Sequence, residues 1–232
     1  LIRNSQESVV SSSYKIAASI LAADFTRLGD QVREAEAAGA DLFHMDIMDG
    51  MFVPNISFGP MIVEAVRGIT RLPLCAHLMV EKPERYVPAF AQAGANMIVV
   101  HVEASPHLHS TIQQIRSLNV RAGVAISPHT PFEMTREILS DVDHVLVLTV
   151  SPGFGGQKFI HSTLPKIEQI ASAARRIDHP LEIGVDGGIN PTTIGLVLEK
   201  GANVIIAGTA IFRTTGGIAA GIAALRTAAQ SR

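Results

Sequence analysis

From Tyr14 onward the chain alternates between two hydrophobic patterns. Short, nearly continuous apolar runs have the character of buried strands. Longer stretches repeat apolar positions every three to four residues, as helices packed by one face do. Strands are predicted over Lys15–Ile20, Asp41–Met48, Leu74–Met79, Asn96–His101, Val120–Ile126, His144–Val150, Leu181–Asp186 and Asn203–Ala207. Helices are predicted over Phe25–Ala38 with Asp24 as cap, Pro60–Arg67, Glu84–Ala93 and His107–Leu118. A short one follows Pro131, and others cover Leu164–Arg176, Thr192–Lys200 and Gly217–Ala229. Gly39, Gly94 and Gly201 trail helical segments, where a left-handed residue commonly ends a helix. Eight βα units without a linker predict a single-domain α/β protein, a (β/α)8 TIM barrel over residues 14–232. The competing doubly wound sheet lacks a G-x-G-x-x-G after its first strand.

Composition supports a covered parallel sheet. Apolar residues make up 47% of the chain and charged residues 17%, against about 25% charged in an average domain. Some of that surplus suits an apolar subunit contact, so a homo-oligomer is expected. The net charge of −2, with no basic block, gives nucleic acid and anionic membranes nothing to hold. No apolar run approaches a membrane span. The single cysteine, Cys75, excludes an internal disulfide or a Cys-rich zinc module and reads as a buried, inert thiol. Residues 1–13 are polar, Ser-rich and without a signal-peptide core. They read as a disordered or vector-derived extension outside the fold, and a cytoplasmic location is expected.

Chemistry concentrates at strand ends. In Asp41–Gly50 the period of two places His44, Asp46 and Met48 on one face. His77 and Met79 repeat that spacing in the next strand, and Asp186 closes a later one just before Gly187 and Gly188. Burying His with Asp costs several kcal/mol, roughly, unless a charge or hydrogen bond receives them. For one run alone, a satisfied pair competes evenly with a metal or acid–base site. Two His and two Asp at the carboxyl ends of three strands, where barrel sites lie, are hard to explain as packing. Glycine-rich loops follow the sixth, seventh and eighth strands, at Ser151–Gln157, Gly187–Gly188 and Gly208–Thr209. Such loops turn backbone N–H groups onto an anion, so a phosphorylated small molecule is the expected partner.

Seven motifs then resemble the ribulose-phosphate 3-epimerase family across roughly Tyr14 to Phe212. They are Ser19–Phe25, His44–Gly50, Phe52–Asn55, Ala76–Met79, Pro152–Gln157, Val185–Ile189 and Ala207–Ile211. The resemblance implies interconversion of D-ribulose 5-phosphate and D-xylulose 5-phosphate in pentose phosphate metabolism. It implies one divalent metal, Zn²⁺ or Fe²⁺ ahead of Co²⁺ or Mn²⁺, on His44, Asp46, His77 and Asp186. It also makes Asp46 and Asp186 the two catalytic acid–base groups. Ser19 and His77 would touch substrate, Met48 and Met79 would line the reacting carbons, and Asp186 would serve both metal and substrate. Gly153, Phe154, Gly155, Gly156, Gly187, Gly188, Gly208 and Thr209 would cradle the phosphate. Two positions depart from the family pattern. Leu148 stands where many members carry Met, and Ala22 where Ser is usual.

A two-base mechanism has its own logic. Epimerising C3 of a 2-ketose removes a carbon-bound proton and returns one to the opposite face, so one base per face suffices. A metal on the C2 and C3 oxygens would stabilise the enediolate, and one of two coupled carboxyls must hold a proton. Other readings are an epimerase of a longer ketose phosphate and a non-catalytic sugar-phosphate binding protein. Barrel aldolases and decarboxylases would be expected to use a Lys at a strand end, and no predicted strand ends on one. His101 also ends a strand and reads as structural or supporting. His107, His109, His129, His161 and His179 are given no role, and Pro54 and Asn55 shape either a turn or a loop over the site.

Overall fold

A computed structural model describes residues 14–231. The expectation that residues 1–13 stand apart from the fold therefore lies outside the described residues. Eight parallel strands close into one barrel in chain order, the last pairing with the first. They are β1 Lys15–Ser19, β2 Leu42–Met48, β3 Leu74–Met79, β4 Met97–His101, β5 Arg121–Ile126, β6 His144–Leu148, β7 Glu182–Asp186 and β8 Val204–Ala207. The helices around them are α1 Leu28–Ala37, α2 Pro60–Arg67, α3 Val87–Gln92, α4 Leu108–Ser117 and α5 Glu133–Arg136. After these come α6 Leu164–Ala174, α7 Ile194–Glu199, α8 Thr209–Phe212 and α9 Gly217–Gln230. The predicted TIM barrel is the observed fold, as a single domain.

Alternation along the strands sorts two cores. Outward residues such as Phe43, Met45, Leu78, Ile98 and Val185 pack beneath the helices in one large apolar cluster. Inward residues, including Leu42, Cys75, Val99, Leu146, Leu148 and Ile206, fill the barrel itself. Because both faces are covered, the strands read as continuous apolar runs rather than strict alternation. Cys75 is buried in that inner core.

Element ends moved where capping chemistry intervened. The predicted helix from Phe25 begins as a 3₁₀ turn over Phe25–Arg27, since the Asp24 carboxylate accepts the Thr26 N–H at 3.0 Å, and α1 starts only at Leu28. The helix predicted from Glu84 likewise opens with a 3₁₀ turn over Pro83–Arg85 before α3. The strand predicted to Val150 stops at Leu148. The short helix α8, which opens at Thr209 directly after Gly208, is absent from the predicted elements.

Charge is gathered at the amino end of the barrel. Glu182, at the start of β7, accepts from Lys15 of β1 at 2.7 Å and pairs with Arg121 of β5 at 3.0 Å. Its Oε2 also lies 3.6 Å from Nδ1 of the fully buried His144, too far for a direct hydrogen bond. Gly184 makes room for that ring, because a Cβ there would collide with His144 Nε2. Burial alone would raise the Glu182 carboxyl, but His144, Lys15 and Arg121 hold it well below the usual carboxylate range. A depressed folded-state pKa stabilises the fold above the unfolded value and loses that contribution as pH falls through the folded one. Glu182→Gln is therefore expected to cost about 1–2 kcal/mol at neutral pH, allowing for the exposed Lys15 and Arg121. The gap to the parent should narrow as pH drops below about 4. Chemical denaturation at pH 7 and pH 3 checks this, and an equal gap at both would contradict it.

Candidate active site

At the carboxyl end of the barrel, β2 presents His44, Asp46 and Met48 inward and β3 presents Cys75, His77 and Met79 beside them. The register pairs Asp46 with His77 and Met48 with Met79. The predicted ligands therefore meet. His77 Nδ1 lies 2.9 Å and His44 Nε2 3.1 Å from the same Asp46 Oδ1, and the two ring nitrogens are 3.3 Å apart. Asp186 arrives from β7 with Oδ2 3.8 Å from His44 Nε2. One ligand atom from each of the four side chains lies within 4.8 Å of every other. Ser19, at the end of β1, donates to Asp46 Oδ2 at 2.8 Å.

Pairwise hydrogen bonding can satisfy two edges of this cluster but not the third. Three lone-pair atoms form a triangle with edges of 2.9–3.3 Å, and at most two protons are available to separate them. Ligand atoms held about 2.0–2.2 Å from one divalent ion sit about 3.0–3.4 Å apart, close to the edges seen here. Two imidazoles and two carboxylates suit Zn²⁺, Fe²⁺, Co²⁺ and Mn²⁺ alike. The residues present thus fit a cation, and they are able to hold one.

Without a cation, the electrostatics separate the two carboxyls. Burial would raise Asp46, but His44 and then His77 hold it well below the usual range. Burial also opposes charge on His44, yet Asp46 draws that ring well above its ordinary value. His77 is pushed down to about 3, by burial first and by the neighbouring His101 and His44 rings, which together outweigh the bond to Asp46. Asp186 is pushed up to about 7, first by burial and then by the negative charge of Asp46. The two carboxyls are thus driven in opposite directions, Asp46 towards the ionised form and Asp186 towards the protonated one.

Beside this cluster opens a cavity of about 310 Å³. Ser19, Asp46, Met48, Met79, Leu148 and Asp186 form its inner wall, and Ile206 of β8 completes it. Its outer part is lined by Gly153, Phe154, Gly155, Gly156, Gly187, Gly188, Gly208 and Thr209, so the three glycine loops converge. His44 and His77 are buried behind Asp46, off the cavity wall. Glycine is required at Gly187, where φ is +117° and a Cβ would lie 2.5 Å from Val150. It is equally required at Gly188, where φ is +67° and a Cβ would lie 2.6 Å from the Phe159 backbone nitrogen. Leu148 stands on the inner wall and keeps it apolar.

Some of the site escaped sequence reading. Arg213, just after α8, edges the cavity with its Nε donating to the Ala22 carbonyl at 2.8 Å. Nothing in its neighbourhood marked it. Glu103 lies two residues beyond His101, and its Oε2 meets His101 Nδ1 at 2.9 Å. The carboxylate was legible only as a residue following a strand end. Burial alone would raise Glu103, yet bonds from His101, Thr130 and Ser127 hold it at about 2. His101 Nε2 in turn meets His77 Nε2 at 2.9 Å. His101, anticipated as structural or supporting, is thus linked directly to the cluster. The loop after β2 lies over this side, with Phe52 tilted on the His101 ring at 4.7 Å and Asn55 donating to the Gly153 carbonyl at 2.8 Å.

A metal-capable cluster with two unlike carboxyls, opening on a glycine-lined cavity at the carboxyl end of a parallel barrel, marks a (β/α)8-barrel enzyme. The sequence model of the ribulose-phosphate 3 epimerase family matches residues 15–212. Ribulose-phosphate 3-epimerase of Bacillus subtilis (strain 168) is 55% identical over 199 residues, covering 85% of this chain and 92% of that protein. The Synechocystis protein of the same name is 49% identical over 207 residues, covering 88% and 89%. The chain belongs to the ribulose-phosphate 3-epimerase family, whose members are isomerases. Among solved structures, KGPDC from Streptococcus mutans shares the fold with a TM-score of 0.70 at 13% identity, covering 94% of this chain and 98% of that one. That protein was also solved in complex with a sugar phosphate, at a TM-score of 0.69 with the same identity and coverage. No helix among the described residues is long and apolar enough to cross a membrane.

The Asn55 bond ties the loop after β2 to the glycine-rich loop after β6. Asn55→Ala should remove about 0.5–1.5 kcal/mol of local restraint. Backbone amides of residues 151–157 should then exchange hydrogen several-fold faster by mass spectrometry, while the strands keep their protection. Unchanged exchange in that loop would show that the bond does not restrain it.

Proposed function

We propose that this chain is a metal-dependent epimerase interconverting D-ribulose 5-phosphate and D-xylulose 5-phosphate by proton transfer at C3. The observation that carries the reading is the two-ended cavity. Two carboxyls of opposite protonation tendency stand at its inner end, and three glycine loops ring its mouth. The names of the relatives support ribulose phosphate as substrate and position 3 as the epimerised centre.

The phosphate is held at Gly153–Gly156, Gly187–Gly188 and Gly208–Thr209, chiefly by backbone N–H groups. The remaining carbons reach inward between Met48, Met79 and Leu148, whose apolar surfaces exclude water from the reacting bond. Asp46, ionised, takes the C3 proton from one face, and Asp186, protonated, delivers one to the other. The roles exchange in the reverse direction. Ser19, bonded to Asp46 Oδ2, fixes the carboxylate plane and touches the substrate. His44, Asp46, His77 and Asp186 would hold a divalent ion, which when bound would supply Lewis-acid stabilisation of developing negative charge on the substrate oxygens. Capture of the phosphate anchors C3 between the bases, so remote binding energy becomes orientation.

Incubation with ribulose 5-phosphate should give xylulose 5-phosphate, with deuterium entering at C3 in heavy water. A protein that binds the sugar phosphate but leaves its C3 proton in place is a binding protein, not an epimerase. Asp46→Asn and Asp186→Asn should each lower kcat at least about 10²–10⁴-fold, the usual share of a general acid or base. Metal content must be measured in both variants, since each residue is also a proposed ligand. Near-normal turnover in either variant with metal retained would point to a single shuttling base. Dephosphorylated ribulose should react far more slowly, and equal kcat/KM for both sugars would refute the anchoring role of the glycine loops.

A further inference from the structure

His101 and Glu103 reach neither the cavity nor the four clustered ligands, except that one nitrogen of His77 joins them to the cluster. His77 turns Nδ1 towards Asp46 and His44, and its Nε2 meets His101 Nε2 at 2.9 Å. The other nitrogen of His101 meets Glu103 Oε2 at 2.9 Å. Glu103 Oε1 accepts the Ser127 N–H at 2.8 Å and the Thr130 hydroxyl. The Ser127 carbonyl is in turn held by Lys166 Nζ at 2.7 Å. Both rings are fully buried, so water does not substitute for either of them, while Glu103 closes the chain from the partly exposed side.

We propose that Glu103 and His101 are positioning residues that fix the tautomer of His77, keeping its Nδ1 bare for the metal. This rests on the metal reading given above. With both rings neutral, the proton inventory has one solution. The Ser127 N–H can only donate, so Glu103 Oε1 must accept. Glu103 Oε2, as a carboxylate oxygen, also accepts, which puts a proton on His101 Nδ1. His101 Nε2 is then bare and must accept from His77 Nε2–H. His77 Nδ1 is left with its lone pair directed at the cluster. The two rings and the carboxylate thus act as a polarity chain, each member setting the direction of the next.

Glu103→Gln reverses the chain without changing its shape. The amide oxygen stays on the Ser127 N–H, so the NH₂ group faces His101 Nδ1 and donates to it. His101 must then carry its proton on Nε2, His77 must accept there, and an N–H is turned towards the metal position. A residue that merely anchors the loop at 127–130 would be replaced well by Gln, because the bonds to Ser127 and Thr130 survive. The two roles therefore predict different results for one isosteric change.

Zn²⁺ affinity of the full chain, measured by competition with a chromogenic chelator, should fall about 10–100-fold in Glu103→Gln. The metal-free variant should keep the parent's fold by circular dichroism, with only the modest fall in thermal midpoint that losing a depressed carboxyl brings. Equal affinity in variant and parent would overturn the proposal while leaving the metal reading intact. If the parent takes up no divalent metal, the metal reading fails and the relay with it. Should the variant not fold, ¹⁵N NMR of the imidazole nitrogens in the zinc-loaded parent decides. His77 must show a protonated Nε2 and a metal-bound Nδ1, and His101 a protonated Nδ1 and a bare Nε2. A proton on His101 Nε2 would overturn the assignment.

Discussion

Everything at the carboxyl end of this barrel depends on one crowded oxygen. Asp46 Oδ1 has imidazole nitrogens at 2.9 and 3.1 Å, and those nitrogens are themselves in contact. In an apolar barrel interior the charge on Asp46 is drawn strongly to the two rings, because little water screens it. Several other features surround that contact. Asp186 stands close enough to complete a metal-capable cluster, and Ser19 restrains the other oxygen of Asp46. The strands are suited to hold the groups because closure leaves them no edge along which to slip.

The cavity works as two unlike halves on one rigid frame. Its inner half is charged but walled by Met48, Met79, Leu148 and Ile206, an apolar setting of low dielectric. Its outer half is lined chiefly by the backbone of the glycine loops, where the proposed reading puts the anion on N–H dipoles rather than on side-chain cations. Arg213 borders that half but is engaged by the Ala22 carbonyl. On that reading, such a separation would keep a phosphate dianion distant from Asp46 and Asp186, whose ionisation it would otherwise suppress.

Much of this was legible in the sequence because two periodicities and one topology rule act together. The period of two placed His44 beside Asp46 and His77 beside Met79, and the barrel rule carried those strand ends to a common mouth. The glycine loops were visible because Gly187 and Gly188 occupy backbone conformations and contacts that a Cβ forbids. Other parts depended on distance in space without a trace in spacing. Nothing in the chain indicated that Glu103 would turn back onto His101, or that Asn55 would bridge 98 residues to Gly153. The start of α1 slipped because a side-chain cap at Asp24 favoured a 3₁₀ turn over continued periodicity. The helix α8 is too short for any period to announce it.

The last consequence concerns the order in which the ring is joined. β1 and β8 are the two ends of the sheet, and their pairing of Lys15–Ala18 with Val204–Ala207 is the one joint between strands distant in sequence. The cavity straddles that joint, with Ser19 contributed from one side and Ile206, Gly208 and Thr209 from the other. A ligand lying across it therefore binds only the closed ring. By mass action, occupancy biases the chain against local opening at the seam, with a stabilisation that grows logarithmically with ligand concentration. Substrate supply and resistance to fraying at the seam are thus coupled by geometry, and the strands joined last in sequence are the ones fastened by the ligand.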